Sequence, residues 1–131
     1  MEVLRCDDSI FNKFGQVYIT TANPGVVKGW HYHKNQEDNM AVVQGTMKIV
    51  LYDGRKDSPT FGQVNEYFLG VHAPYLIKIP PFVLHGFKCI SKEEAIVINI
   101  PSEPYNRESP DEFRVNPHDN KIPYNWKRKD G

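Results

Sequence analysis

Only two cysteines occur in the 131 residues, Cys6 and Cys89, far apart and outside any CxxC pair. That excludes a disulfide framework and a paired-thiol metal clip, and each reads as a plain reduced cysteine. An excess of one charge is also missing. Lys+Arg and Asp+Glu are both 16, so the formal net charge is zero at pH 7. A phosphate-backbone binder carries a basic surplus or a basic run, so no nucleic-acid partner is expected. No apolar run exceeds five residues, against the roughly 20 of a membrane helix, so no membrane partner is expected either. The opening residues Met1, Glu2, Val3, Leu4, Arg5 and Cys6 are too few and too polar for a signal peptide, and a cytoplasmic address is the expectation. Strong helix formers are scarce: Ala and Leu number nine together, against 26 for Val, Ile and Thr. β-branched side chains suit a pleated surface, so this imbalance excludes a helical protein and points to an all-β one.

What is present fits that class. Ten prolines and nine glycines supply the turns that many short strands need. β-rich runs bounded by turn residues occupy 16–21, 40–43, 46–52, 64–69, 75–79, 83–89 and 95–100. The runs 40–43 and 46–52 meet at Gln44-Gly45, which reads as a hairpin with a tight turn. Seven or eight such strands without an amphipathic helix imply a β-sandwich or small barrel. The length suits one domain spanning 1–131. Within it, 1–15 forms a divergent N-terminal strand region and 16–100 the barrel. Segment 101–131 is rich in proline and charge but keeps Tyr105, Phe113, Tyr124 and Trp126, so it reads as a tail wrapping the barrel, with 127–131 frayed.

The most informative stretch is PGVVKGWHYHKNQEDNMAVVQG at 24–45. Residues i and i+2 of a strand share a face, so His31 and His33 can converge on one site. Glu37 and Asp38 follow closely and His85 comes later. Three imidazoles and a carboxylate are metal-ligand types, and a neutral imidazole is also a base near pH 7.

Gly25, His31-x-His33, Asp38 (or Glu37, one residue off register) and Gly45 resemble the first motif of the cupin superfamily. The second motif, a proline, a glycine and a histidine, is similar to 80–85, with Phe82 at the glycine position. This implies a cupin jelly-roll, a double-stranded β-helix barrel with its site inside. Within the cupins the chain more closely resembles the dTDP-4-dehydrorhamnose 3,5-epimerase family, from about Gln16 to Trp126. The matching blocks are VKGWHYH (27–33), YDGRKDSPTFG (52–62), IPPFVLHGF (79–87) and His118-Asp119 with Trp126.

The resemblance implies an isomerase (epimerase) acting on a nucleotide-linked 4-keto-6-deoxy sugar by proton abstraction beside the ketone. His31 takes the place of the general base and Asp119 that of its orienting acid. Lys28, His33, His85 and Asn99 are the implied substrate contacts, no cofactor is required, and a homodimer is the usual assembly. Three departures stand out. Lys28 replaces an arginine, Asn99 replaces the tyrosine that donates a proton, and Asp38 replaces the lysine facing the enolate oxygen. Asp38 restores a ligand-capable set of His31, His33, Asp38 and His85, suited to Zn, Mn, Fe or Ni. Two other readings therefore stand beside the epimerase. One is a metal-dependent cupin enzyme, an isomerase or dioxygenase, in which His31 ligates the metal and is no longer a free base. The other is a non-catalytic sugar-binding cupin.

Overall fold

The computed structural model describes residues 1–127; of the expected frayed end, residues 128–131 lie outside it. The described residues contain no helix long and apolar enough to cross a membrane. The chain runs through β1 (Tyr18–Ala22), β2 (Val27–Tyr32), β3 (Asp38–Gln44), β4 (Thr46–Asp53), β5 (Val64–Gly70), β6 (Leu76–Ile79), β7 (Val83–Cys89), β8 (Ala95–Asn99) and β9 (Phe113–Arg114). Two antiparallel sheets result, one ordered β1-β8-β3-β6 and the other β5-β4-β7-β2-β9. This is the all-β, two-sheet arrangement expected from the strand composition and the jelly-roll that the cupin resemblance implies.

Two expectations fail. β3 and β4 do not form a hairpin: β3 pairs with β6 and β8, whereas β4 pairs with β5 and β7. Gly45 carries the chain from one sheet to the other at a φ of 68°, a backbone angle that costs glycine little. A Cβ here would also sit 2.6 Å from Ser91 Oγ and 2.9 Å from Ala95 Cα. The segment 1–15 is likewise not a strand. Asp8 accepts the Arg5 N–H through its carboxylate and the Phe11 N–H through its carbonyl, which makes a turn.

The period-2 alternation turns every second side chain into the barrel, and along that inward face several strands are apolar at one end and polar at the other. Ala22, Val42, Met47, Ile49, Val97 and Cys89 fill the barrel at one end. Two or four residues along the same inward faces stand Tyr18 and Thr20 on β1, Asp38 on β3, His85 on β7 and Asn99 on β8. Inward polar side chains at one end leave that end unfilled by core.

The outer face of the second sheet is covered by the tail, as its aromatics imply. Trp30, Val50 and Trp126 form a second buried cluster, with Val115, Ile122 and Tyr124 against it. Trp30 and Trp126 lie with ring centroids 5.0 Å apart. Gly29 and Gly86 are cross-strand partners, and a Cβ on Gly86 would stand 2.8 Å from the Trp126 ring. Both glycines are therefore needed for the tail to lie flat on the β2–β7 ladder. On the opposite side of that ladder are His31 and His85. Burial of two tryptophans contributes several kcal/mol at about 25 cal/mol per Å² of apolar area, so the tail anchors the strands that carry the site.

Candidate active site

The open end of the barrel is a cavity of about 760 Å³, within the range of small-molecule sites. Tyr18, Thr20, Asp38 and Met40 line it from the first sheet, and Lys28, His31, His85 and Phe87 from the second; 103–106, Asp111 and Glu112 lie at its rim.

Asp38 is the polar centre. It is 1% exposed, and its two oxygens have separate partners. Oδ1 accepts from Gln36 Nε2 at 2.8 Å and from Asn99 Nδ2 at 2.9 Å. Oδ2 faces His33 Nε2 at 3.2 Å and His85 Nε2 at 3.3 Å. Burial alone would raise the Asp38 pKa, but the hydrogen bonds and charges of His33 and His85 outweigh it and hold the group well below the usual carboxylate range. His33 shows the complement. Burial pulls its pKa down, while Asp38 and then Asp111 push harder the other way, and the net shift is upward. Its Nδ1 hydrogen-bonds the Asp111 carbonyl, so both ring nitrogens face acceptors, as an imidazolium requires. His85 Nδ1 lies 3.1 Å from the Val83 carbonyl.

Glu37, the alternative to Asp38 in the motif, lies on the other side of the strand and pairs with Lys78 at 3.1 Å. Phe82, at the motif's glycine position, keeps a left-handed φ of 64°, and its N–H donates to the His33 carbonyl at 2.7 Å. The turn geometry survives although the residue has changed, and it ties the β6–β7 turn to His33.

His31 lies outside the Asp38 cluster. Its ring centroid is 6.1 Å from that of His85, and its Nε2 is 3.9 Å from Glu112 Oε1. Burial, helped by His85, pushes its pKa down to about 4 against the upward pull of Glu112, with Arg114 and His33 adding smaller downward pushes. His31 is therefore neutral at pH 7, with a lone pair available inside the cavity.

The remaining expected residues divide. Lys28 lines the cavity and donates from Nζ to Thr20 Oγ1 at 3.0 Å. Asn99 does not reach the cavity: it is fully buried behind Tyr18 and Asp38 and bonds to both, so it is no direct substrate contact in this structure. Asp119 is not brought to His31 either. It is exposed, in a turn where Asn116 Oδ1 accepts the backbone N–H groups of His118 and Asp119. The acid at His31 is Glu112, just before β9, and a two-residue strand leaves no periodicity by which a sequence reading could find it. Tyr18, Gln36 and Asp111 were also missed.

The four-residue metal set contracts to three. Ligand atoms of His33, Asp38 and His85 lie within 4.8 Å of one another, and His31 is not among them. The donor types fit a divalent ion, and the backbone carbonyls on both Nδ1 atoms would orient the Nε2 lone pairs toward it. An ion held there would supply Lewis-acid polarisation of a keto oxygen. Because His31 stands apart, a metal at this cluster and a free base at His31 are not mutually exclusive.

A jelly-roll with histidines and a buried carboxylate at its open end is a cupin-type barrel with its site inside. The sequence matches the profile of the dTDP-4-dehydrorhamnose 3,5-epimerase family over residues 4–131, and the chain belongs to that family. It is 36% identical over 125 residues to the spore coat polysaccharide biosynthesis protein SpsL of Bacillus subtilis, covering 95% of this chain and 83% of that one. It is 40% identical over 103 residues to the probable low-salt glycan biosynthesis epimerase Agl13 of Haloferax volcanii, covering 78% and 65%. Among solved structures it resembles the dTDP sugar isomerase of Desulfovibrio desulfuricans G20, with a TM-score of 0.92 and 34% identity over 98% of this chain and 82% of that one.

Proposed function

We propose that the protein epimerises a nucleotide-linked 4-keto-6-deoxy sugar at a carbon beside the ketone, with His31 as the base. The observation that carries this is the placement of the His31 imidazole on the cavity wall, apart from the Asp38 cluster and with Glu112 at 3.9 Å to favour the imidazolium once formed; burial favours its uncharged form beforehand. The keto group acidifies the neighbouring C–H, His31 takes the proton, and the electron pair moves into the enolate. Reprotonation from the other face inverts the carbon. Proton transfers alone complete the reaction, so it requires no cofactor. Lys28 is a cation on the cavity wall available to the substrate's phosphate or enolate oxygen. His33 and His85, with both ring nitrogens engaged, contribute wall rather than a free nitrogen.

The test is solvent exchange. Wild-type protein incubated in D2O with a dTDP-linked 4-keto-6-deoxyhexose should place deuterium at C3 or C5, and His31→Asn should not. No exchange by wild-type protein across several such nucleotide sugars would leave the sugar-binding reading in its place.

The working form is proposed to be a cytoplasmic homodimer. β1 is the outer strand of its sheet, and Phe14, Val17 and Ile19 are exposed on and before it. An uncovered apolar edge favours pairing with a second copy across a two-fold axis. Light scattering at micromolar concentration should give twice the chain mass, and Ile19→Asp should shift it toward the monomer.

A further inference from the structure

Inversion beside a ketone needs two proton-transfer groups, one on each face of the enolate. His31 stands on β2 in one sheet, so a group on the facing sheet is well placed to reach the other face of the enolate. The cavity residues there are Tyr18, Thr20, Asp38 and Met40. Met40 has no dissociable proton, both Asp38 oxygens are taken up by Gln36, Asn99, His33 and His85, and the Thr20 hydroxyl is a far weaker acid than a phenol. His33 and His85 have both nitrogens engaged.

We propose that Tyr18 is the proton donor of the reaction and that Asn99 is the residue that positions its hydroxyl. Tyr18 and Asn99 are direct partners across the β1–β8 ladder, and Asn99 Nδ2 donates to Tyr18 Oη at 2.9 Å. Because Oη is the acceptor in that bond, the phenol's own proton stays free to point into the cavity. The second N–H of the same amide goes to Asp38 Oδ1. A flipped amide would set its carbonyl against the Asp38 carboxylate, so Asp38 fixes the orientation that Tyr18 needs. A fully buried amide on β8, with no access to substrate, thereby acquires a purpose.

The proposal rests on the epimerase reading above. His31 removes the proton from the carbon and leaves the enolate. The Tyr18 O–H bond then breaks, and its proton forms the new C–H bond on the opposite face. Tyr18 is left as phenolate and His31 as imidazolium, and exchange with solvent restores both. Burial, with the charge of Asp38 adding, pushes the Tyr18 pKa up to about 12 against the lowering effect of the Asn99 hydrogen bond. The phenol thus stays protonated at working pH, and the amide N–H is the group that stabilises the phenolate formed in the step.

The experiment separates inversion from exchange. With a dTDP-linked 4-keto-6-deoxyhexose in D2O, Tyr18→Phe should lose inversion by about 10²- to 10⁴-fold. It should still wash deuterium into the substrate, because His31 can remove and return a proton on its own face. The aromatic ring is kept, so the fold is not at stake. Asn99→Leu should lower inversion with exchange retained, and His31→Asn should abolish both. Inversion by Tyr18→Phe within about threefold of wild type would overturn the proposal, as would loss of inversion in Tyr105→Phe in its place, Tyr105 being the phenol at the cavity rim. A wild-type protein that neither exchanges nor inverts would overturn the epimerase reading itself and this assignment with it. That outcome is distinct from a wild type that inverts equally well without the Tyr18 hydroxyl.

Discussion

His31 and His85 are direct partners across the β2–β7 ladder, yet they belong to different electrostatic environments. His85 turns its Nε2 to Asp38 at 3.3 Å. His31 instead meets Glu112 at 3.9 Å, and the neighbouring imidazole further disfavours its charged form. One rung of a β-ladder thus holds one histidine that is structural and another that is free for chemistry.

The first prediction concerns the acid limb of the pH–rate profile. With His31 lowered to about 4, the free enzyme should keep its base unprotonated well below the ordinary histidine range. The acid limb of kcat/KM, which reports the free enzyme, should therefore fall near pH 4, with activity still flat at pH 6. A limb near pH 6.5 would mean that His31 is exposed and unperturbed in solution, or that another group is the base.

Glu112 and Asp119 can be ranked directly. Glu112 raises the His31 pKa, so Glu112→Gln should make His31 a weaker base, move the acid limb lower still and reduce kcat by about tenfold. Asp119 is exposed in its turn, and Asp119→Asn should cost less. The reverse order in a side-by-side kinetic comparison would restore Asp119 as the histidine's partner and imply that the tail rearranges when substrate binds.

How much of this was legible beforehand follows from the range of each signal. His31 and His33 sharing a cavity needs only the i, i+2 rule of a strand, and the all-β class needs only composition. The choice of Asp38 over Glu37 needs the strand phase, which pairing with β6 and β8 decides. The crossing at Gly45 looks the same in sequence as a hairpin turn, because a one-residue link says nothing about which sheet follows. Tyr18 against Asn99 is a pairing of strands about 80 residues apart, and no local pattern announces it. The SPTFG block at 58–62 was legible as a family signature, but its physical role was not.

That role yields the third prediction. Asp53 accepts from Arg55 Nε at 2.9 Å and Nη2 at 2.7 Å, and from the Ser58 and Thr60 hydroxyls at 2.6 Å each. One buried carboxylate therefore closes the β4–β5 loop, away from the cavity. Hydrogen bonds to a charged group contribute about 1.5–3 kcal/mol each, and such bonds do not add independently. Asp53→Ala should destabilise the protein by about 2–3 kcal/mol in denaturant unfolding while leaving KM within about twofold. A large rise in KM without loss of stability would make the loop part of the substrate site.

The last prediction uses Asp38 to separate an imidazolium from a metal ion at the same place. Without an ion, the buried carboxylate is balanced by His33, whose pKa in the folded protein is raised. An ordinary histidine titrates near 6.5 in the unfolded chain. Between that value and the raised one, the folded state binds more protons than the unfolded state, so stability falls as pH rises through the window. The contribution is complete below about pH 6.5 and lost above the folded pKa. The melting temperature should therefore decline from pH 6.5 upward, and Asp38→Asn should remove that decline, because the asparagine can donate to a neutral His33 and no longer favours its charged form. Dialysis against EDTA should leave both the decline and the exchange activity in place. A metal ion would reverse the pattern. Its binding requires His33 neutral, so stability would rise with pH over the same window, and chelation would lower both the melting temperature and, if the ion polarises the ketone, the activity. Restoration by Zn, Mn, Fe or Ni would then identify His33, Asp38 and His85 as its ligands, with His31 still free beside them as the base.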